Sequence, residues 1–389
     1  MDSSQEARHS TATPSGFGAG RRLRSQSKVL PEHARSHNRS LVLQTLYHRG
    51  AMSRADLARE TGLTRVTISD LVAESIMDGI IHEIGVRAAT GPGKPPIVID
   101  FDRGGHQIIG IDLSGTTSFE GAVMDLGGRI LERRSLPVPQ QHDAEQTYAL
   151  ARDLARDLIA AATRPVLGVG VGTPGVVGPD GTVVSAPNLA WTDMPLGARL
   201  NTDLELPVVV RNDANAAVLA EYTFGEALSD VMLIRIGRGV GAGVIAGAQP
   251  LVGARFAAGE IGHVVVGTDV GPLCVCGRRG CLEAWVNVPR LIEGIEAEPA
   301  LREAVLSDAG TRLGIAIAPI VAALDLSEIV LSGPRELLAG EFAAAATSAL
   351  HERTLDGVFA DVRIRLSDQD GIVMRGAAVM VLSSQLGVS

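Results

Sequence analysis

The chain has 389 residues, 46% hydrophobic and 20% charged, with 35 Lys and Arg against 44 Asp and Glu for a net charge of −9. That length exceeds one ordinary domain, and the apolar fraction excludes a disordered polymer, so two or three globular units with buried cores are expected. No apolar run of signal-peptide length opens the chain, and no uninterrupted stretch of about 20 apolar residues could span a bilayer, so a soluble, cytoplasmic protein with no membrane partner is expected.

The charge is polarised along the chain. The first 100 residues carry 13 basic and 10 acidic side chains, whereas the remainder carries 22 and 34. A mildly basic head on an acidic body suits a protein of which only the head approaches nucleic acid, because phosphate attracts one part and repels the other. Residues 1–37 are rich in Ser, Gly, Ala and Arg, include the cluster Arg21, Arg22, Arg24 and Lys28, and show no helical or strand period. They read as a flexible basic arm, more a solvated tail than a DNA contact.

A helical pattern begins at Asn38. Val42, Leu43, Leu46 and Tyr47 fall on one face, and Gly50 stops the run. Ser53, with Asp56 three residues on, caps a second helix over 54–60, and Gly62 turns the chain. Thr64 then caps a third helix from Arg65 to about Met77, with Ile68, Leu71, Val72 and Ile76 inward. Arg65, Val66, Thr67 and Asp70 are left as candidate base readers: Arg65 for guanine, Val66 for a thymine methyl, Asp70 for cytosine N4. Ile80-Ile81 and Ile97-Val98-Ile99 pair as strands around the tip Ala-Thr-Gly-Pro-Gly-Lys-Pro-Pro, where Gly93 and Lys94 form a stiff basic wing. Residues 38–101 therefore read as a winged helix-turn-helix that binds double-stranded DNA.

From Gly105 the chain reads as α/β. Two glycine-turn hairpins, IIGIDLSGTTSFEGAVMDLGGRIL and VMLIRIGRGVGAGVIAGAQPLVG, lie about a hundred residues apart and suggest a duplicated body with two lobes facing across a cleft. Neither is a Walker loop and neither opens a helix as a dinucleotide fingerprint does. Between them an apolar strand ends in Asn212 and Asp213 and runs into an alanine-rich helix, which places polar groups at the mouth of a sheet. Asp213 there either takes a proton from a substrate hydroxyl or caps the helix. All three cysteines fall in one segment, where His263, Cys274, Cys276 and Cys281 make a Cys3His set suited to one structural, tetrahedral zinc with no open position. Glu260 and Glu283 flank these ligands. A zinc that draws the ends together brings Glu260, His263 and Glu283 to one spot, a hydroxyl-binding arrangement that suits a sugar.

In order, VGTPGVV, APNLAW, RNDAN, AAGEIGH, CVCGRRGCLE and IVLSG resemble the ROK family of repressors, open reading frames and kinases, over nearly all the chain beyond the arm. The resemblance implies an actin-like (ribonuclease H-like) two-lobed ATPase-type body, with lobe I over 105–217 plus 366–389 and lobe II over 218–365. It implies a sugar held by Asn212, Asp213, Glu260, His263 and Glu283, and zinc held by His263, Cys274, Cys276 and Cys281. In family kinases the counterpart of Asp213 is the catalytic base. The phosphate loops depart from the kinase pattern: where kinases read Asp-x-Gly-Gly-Thr-Lys, Asp112 is followed by Leu113, Ser114, Gly115, Thr116 and Thr117. The usual Gly-Thr-Gly is Gly237-Arg238-Gly239, and Pro334 replaces a glycine of the third loop. Losing backbone access at these loops removes the positioning on which phosphoryl transfer depends. The expected protein is a sugar-responsive regulator, a repressor of carbohydrate-utilisation genes. It binds a palindromic operator as a homodimer or homotetramer, with a sugar or sugar phosphate as effector. The competing expectation is an active ATP-dependent sugar kinase with an accessory DNA-binding head.

Overall fold

A computed structural model describes residues 31–86, 95–267 and 270–388. The head runs α1 (Pro31–Arg49), β1 (Met52–Ser53), α2 (Arg54–Thr61), α3 (Arg65–Met77), β2 (Ile81–Val86) and β3 (Ile97–Phe101). Helix α1 starts before the expected Asn38, so the expected arm overlaps its first turns. Arg35 and Arg39 bridge to Glu74 of α3 and to Asp78 just past its end. Among the described side chains of those turns, residues 34–37, none is buried, so hydrophobic periodicity does not reveal them. Strands β2 and β3 pair antiparallel from Ile81↔Phe101 to Val86↔Ile97, and β1 joins the far edge of β3.

The body continues as β4 (Gln107–Asp112), β5 (Ser118–Asp125), β6 (Ile130–Pro137), α4 (Ala144–Ala161), β7 (Val166–Thr173), β8 (Val176–Val177), β9 (Val183–Ala186), β10 (Trp191–Met194), α5 (Leu196–Leu204) and β11 (Val208–Asn212). Helix α6 (Asp213–Phe224) leads to β12 (Val231–Ile236), β13 (Val240–Ala246), β14 (Gln249–Pro250), α7 (Leu282–Val286), α8 (Val288–Ala297) and α9 (Arg302–Leu324). The chain ends with β15 (Glu328–Ser332), α10 (Arg335–Leu338), α11 (Glu341–His351), β16 (Arg363–Leu366) and α12 (Ile372–Leu386).

Two five-stranded sheets share one plan. The first is ordered β11-β7-β4-β5-β6 and the second β14-β13-β12-β15-β16. In each, an antiparallel hairpin pair (β4/β5, β12/β13) is extended by two parallel strands (β7 and β11, β15 and β16). This is the duplicated actin-like architecture. Helix α6 packs on β12 and β13 of the second sheet as well as on α12, so a lobe boundary at residue 218 falls inside one rigid helix. The stretch Pro299–Leu324 is long and apolar enough to cross a bilayer, yet its Leu306, Leu313, Ile317 and Val321 are buried in the core of the second lobe.

Helix α12 ties the parts together. Its backbone lies so close to the first sheet and α6 that a Cβ on Gly170 would meet the carbonyl of Ala377 at 2.0 Å, and one on Gly376 the carbonyl of Ala216 at 1.7 Å. Its outer end enters the core of the head. Val42, Leu43, Leu46, Ile99 and Phe101 belong to one buried cluster with Ile108, Met124, Met374, Leu382 and Leu386. Head and first lobe therefore share a single hydrophobic core rather than meeting through a linker.

Candidate functional site

The helix-turn-helix segment of the head is set by local capping. The Ser53 hydroxyl accepts from the Asp56 N–H at 3.2 Å while the Asp56 carboxylate accepts from the Ser53 N–H at 3.1 Å. Gly62, at φ +71°, closes α2 in a left-handed conformation that favours glycine. Thr64 Oγ1 then accepts from the Thr67 N–H at 3.2 Å and starts α3. Ile68, Leu71 and Val72 are buried, while Arg65, Asp70 and Val66 (71% exposed) face outward. Thr67 is half-buried with its hydroxyl 2.9 Å from that of Thr64, so it serves the cap first. Ser69 stands on the same outer surface and was not anticipated. Gly93 and Lys94 lie outside the described residues.

His263, Cys274, Cys276 and Cys281 converge, with all four potential ligand atoms within 4.8 Å of one another. His263 Nδ1 is 3.6 Å from Cys274 Sγ, and Cys276 Sγ is 3.6 Å from Cys281 Sγ. Tetrahedral zinc with Zn–S bonds of about 2.3 Å separates its sulfurs by about 3.8 Å, so the donor set and its spacing fit zinc. Burial pushes the Cys274 thiol up to about 12 and raises Cys281 as well, whereas the backbone N–H of Arg278 holds Cys276 below its ordinary value. The raised sulfurs can bind a metal only by losing their protons, so metal binding there is coupled to proton release.

Across the cleft, Asn212 rather than Asp213 caps α6. Its side-chain oxygen accepts from the N–H groups of Ala214 and Asn215, and its amide donates to the Gly175 carbonyl at 3.0 Å. Both ends of Asn212 serve the fold, whereas the Asp213 carboxylate accepts from the Ala214 N–H at 3.0 Å and turns its other oxygen to Arg235. Burial raises the Asp213 pKa; the Arg235 guanidinium opposes the rise and Asp112 adds to it. Glu260 is also raised, first by lost hydration and then by the charges of Asp213 and Glu283, with His263 acting the other way. The charges of His263, Asp213 and Glu283 all act on Glu260. Glu283 is buried: Oε2 accepts from the Val240 N–H at 3.1 Å and Oε1 lies 3.8 Å from Cys274 Sγ. A Cβ on Gly239 would meet that Oε2 at 2.9 Å, so the carboxylate braces the second hairpin from beneath. Arg238 at the hairpin tip is exposed.

Sequence reasoning missed Arg235. It donates from Nη1 to Asp213 Oδ2 at 2.5 Å and from Nη2 to Ser114 Oγ at 3.1 Å. Its only sequence signal is a charge at the end of an otherwise apolar strand, and both partners are far along the chain.

The ROK family profile matches residues 108–383. The chain belongs to the ROK family. Among characterised ROK proteins, the xylose repressor of Caldicellulosiruptor bescii is 28% identical over 387 residues, covering 90% of this chain and 96% of that one. A solved structure described as a ROK family transcriptional regulator, homologous to the Escherichia coli MLC protein, shares the fold of this ROK chain with a TM-score of 0.81 at 24% identity, covering 92% of this chain and 98% of that one. A ROK glucokinase from Streptomyces griseus, solved with glucose and AMPPNP, matches with a TM-score of 0.61 at 26% identity, over 70% of this chain and 98% of its own.

Proposed function

We propose that this ROK protein is a sugar-responsive repressor of carbohydrate-utilisation genes. It binds a palindromic operator through paired winged heads of a homodimer in the cytoplasm. The observation that carries the reading is the whole-length likeness to a xylose repressor, which takes in head as well as body. Two features of the chain support it. The outward face of α3 is free of core contacts, and the cleft retains carboxylates beside an imidazole suited to adjacent hydroxyls.

In this reading the sugar lies between Asp213, Glu260 and His263. The Nδ1 edge of His263 faces the cysteines, leaving Nε2 for a hydroxyl. Asn212 and Glu283 hold the walls, the first by capping α6 and the second by bracing the hairpin and the metal loop. A structural zinc on His263, Cys274, Cys276 and Cys281 fixes the loop that carries Glu260 and His263 toward the cleft. In the head, Arg65, Val66 and Asp70 read bases and Thr67 supports the cap, with Gly93 and Lys94 of the wing on the backbone. Residues 38–101 act as the DNA-binding unit, fused to lobe I.

Phosphoryl transfer does not form part of this function. The first hairpin lacks the lysine and one glycine of the kinase pattern, and Asp213 is engaged by a guanidinium. Gel-shift titration of the DNA upstream of the protein's own gene, beside an ATP-turnover assay with a hexose panel, tests the reading. Specific retardation with no turnover is expected; hexose-dependent turnover abolished by Asp213→Asn would replace the regulator by a kinase.

A further inference from the structure

Val231, Leu233 and Arg235 share one face of β12. The first two are buried against α6 and α12, and the third reaches past them into the cleft. There its guanidinium bonds Asp213 at the head of α6 and Ser114 in the first hairpin turn. Ser114 in turn donates from Oγ to Asp112 Oδ1 at 2.6 Å. Arg235 is 24% exposed and Asp213 18% exposed, so the pair is poorly screened. Asp112 is close enough for its charge to act on Asp213. The result is one cation among two carboxylates and a hydroxyl, linking a strand of the second sheet to two elements of the first.

Phosphoryl transfer requires a negatively charged group to be placed in line with its acceptor and its charge to be neutralised. Here Arg235 already sets a positive charge beside Asp213 and joins it to the first hairpin turn. We propose that Arg235 is a resident cation that bridges the lobes without nucleotide, so that sugar alone closes the cleft. This rests on the regulator reading above and makes Arg235 the positioning residue that couples the sugar site to the head. A purely structural ion pair at this place would be replaceable by apolar side chains with little loss. The coupling role gives a different signature.

The test uses the full chain. Operator affinity is measured by fluorescence anisotropy with and without saturating xylose, glucose, N-acetylglucosamine and their 6-phosphates, and affinity for the active probe is measured by calorimetry. Wild type, Arg235→Ala and Arg235→Lys are compared. Coupling free energies of ordinary size give a shift of roughly 5- to 150-fold in wild type. In Arg235→Ala the operator still binds and the sugar still binds, within about threefold, but the shift falls below about twofold; Arg235→Lys, which keeps the charge, recovers most of it. A responsive wild type with an equally responsive Arg235→Ala overturns the proposal alone. Parallel loss of sugar binding in both variants overturns it too, by making Arg235 a direct sugar ligand. Should Arg235→Ala not fold, Arg235→Met takes its place in the same comparison. A wild type that answers to none of the probes overturns the regulator reading itself, and this proposal with it.

Discussion

The Tyr47 hydroxyl, at the end of the first helix of the head, donates to the carbonyl of Leu126 in the body at 3.1 Å. The contact is returned by Arg103, which donates to the Tyr47 carbonyl at 2.7 Å and lies over its ring at 5.0 Å. At the middle of α1, Gly387 just past α12 approaches Ser40 so closely that a Cβ there would meet its hydroxyl at 2.1 Å. The head is thus anchored to lobe I at the middle and near the C-terminal end of one helix.

Removing the hydroxyl should loosen that anchor measurably. Tyr47→Phe is expected to lose about 1 kcal/mol in urea denaturation, the ordinary worth of one hydrogen bond, with head and lobe I still unfolding together. Burial pushes Tyr47 up to about 12 from 10.0. An acid whose pKa is raised on folding contributes fully below its unfolded pKa, so wild-type stability should fall as pH rises from 10 toward 12. Tyr47→Phe should lack that component. Separate transitions for head and body would contradict the shared core.

The Cys3His cluster makes a prediction about metal and proton together. The purified protein is expected to carry about one zinc per chain, as a closed four-ligand site requires. Chelation should lower the melting temperature and abolish the sugar response, because the loop bearing Glu260 and His263 loses its clamp. The raised Cys274 and Cys281 must release protons to bind metal, so zinc affinity should fall as pH is lowered. Metal analysis by emission spectroscopy with a competing chelator at pH 6 and 8 checks both; Cys281→Ser should mimic the apo state.

Glu260→Gln should weaken sugar binding by about 1.5–3 kcal/mol, the range for a hydrogen bond to a charged group, while operator affinity without sugar stays unchanged. Because Asp213 and Glu260 both titrate above the usual carboxylate range, sugar affinity in wild type should decline on acidification sooner than free carboxylates would suggest. Calorimetry over pH 5–8 reads this directly, and a flat profile would remove Glu260 from the site.

On the DNA side, Arg65→Ala is expected to cost about 1–3 kcal/mol at the operator and to relax preference at one base pair. Asp70→Asn, which removes a repelling carboxylate, should raise affinity for unrelated DNA. Anisotropy titrations across a salt series separate the two, since base reading leaves the salt slope nearly unchanged.

What the sequence disclosed follows the range of the interactions. Ser53 with Asp56, Gly62, and Thr64 before α3 are contacts within a few residues, and each was legible as a cap or turn. The two hairpins showed the duplicated body because alternating apolar residues and glycines mark strands and turns locally. The four candidate metal ligands were legible as a cluster because three cysteines sit within eight residues. The first turns of α1 were not: Arg35 there pairs with Glu74, far along the chain, and no local pattern announces that contact. The division of labour between Asn212 and Asp213 could not be read, since both types cap helices and only the backbone geometry chooses. Arg235 stayed hidden for the same reason in stronger form: its partners Asp213 and Ser114 reach it only after two sheets have folded and faced each other.

In the regulator we propose, one small sugar bound in the cleft weakens the grip of the head on DNA. Anisotropy of a labelled fragment from upstream of the protein's own gene, at fixed salt and with xylose, glucose, N-acetylglucosamine or their 6-phosphates added, measures it most directly. At least one of these should reduce operator affinity by about fivefold or more, and Glu260→Gln should shift the required concentration upward. Operator affinity that no sugar alters would contradict the account.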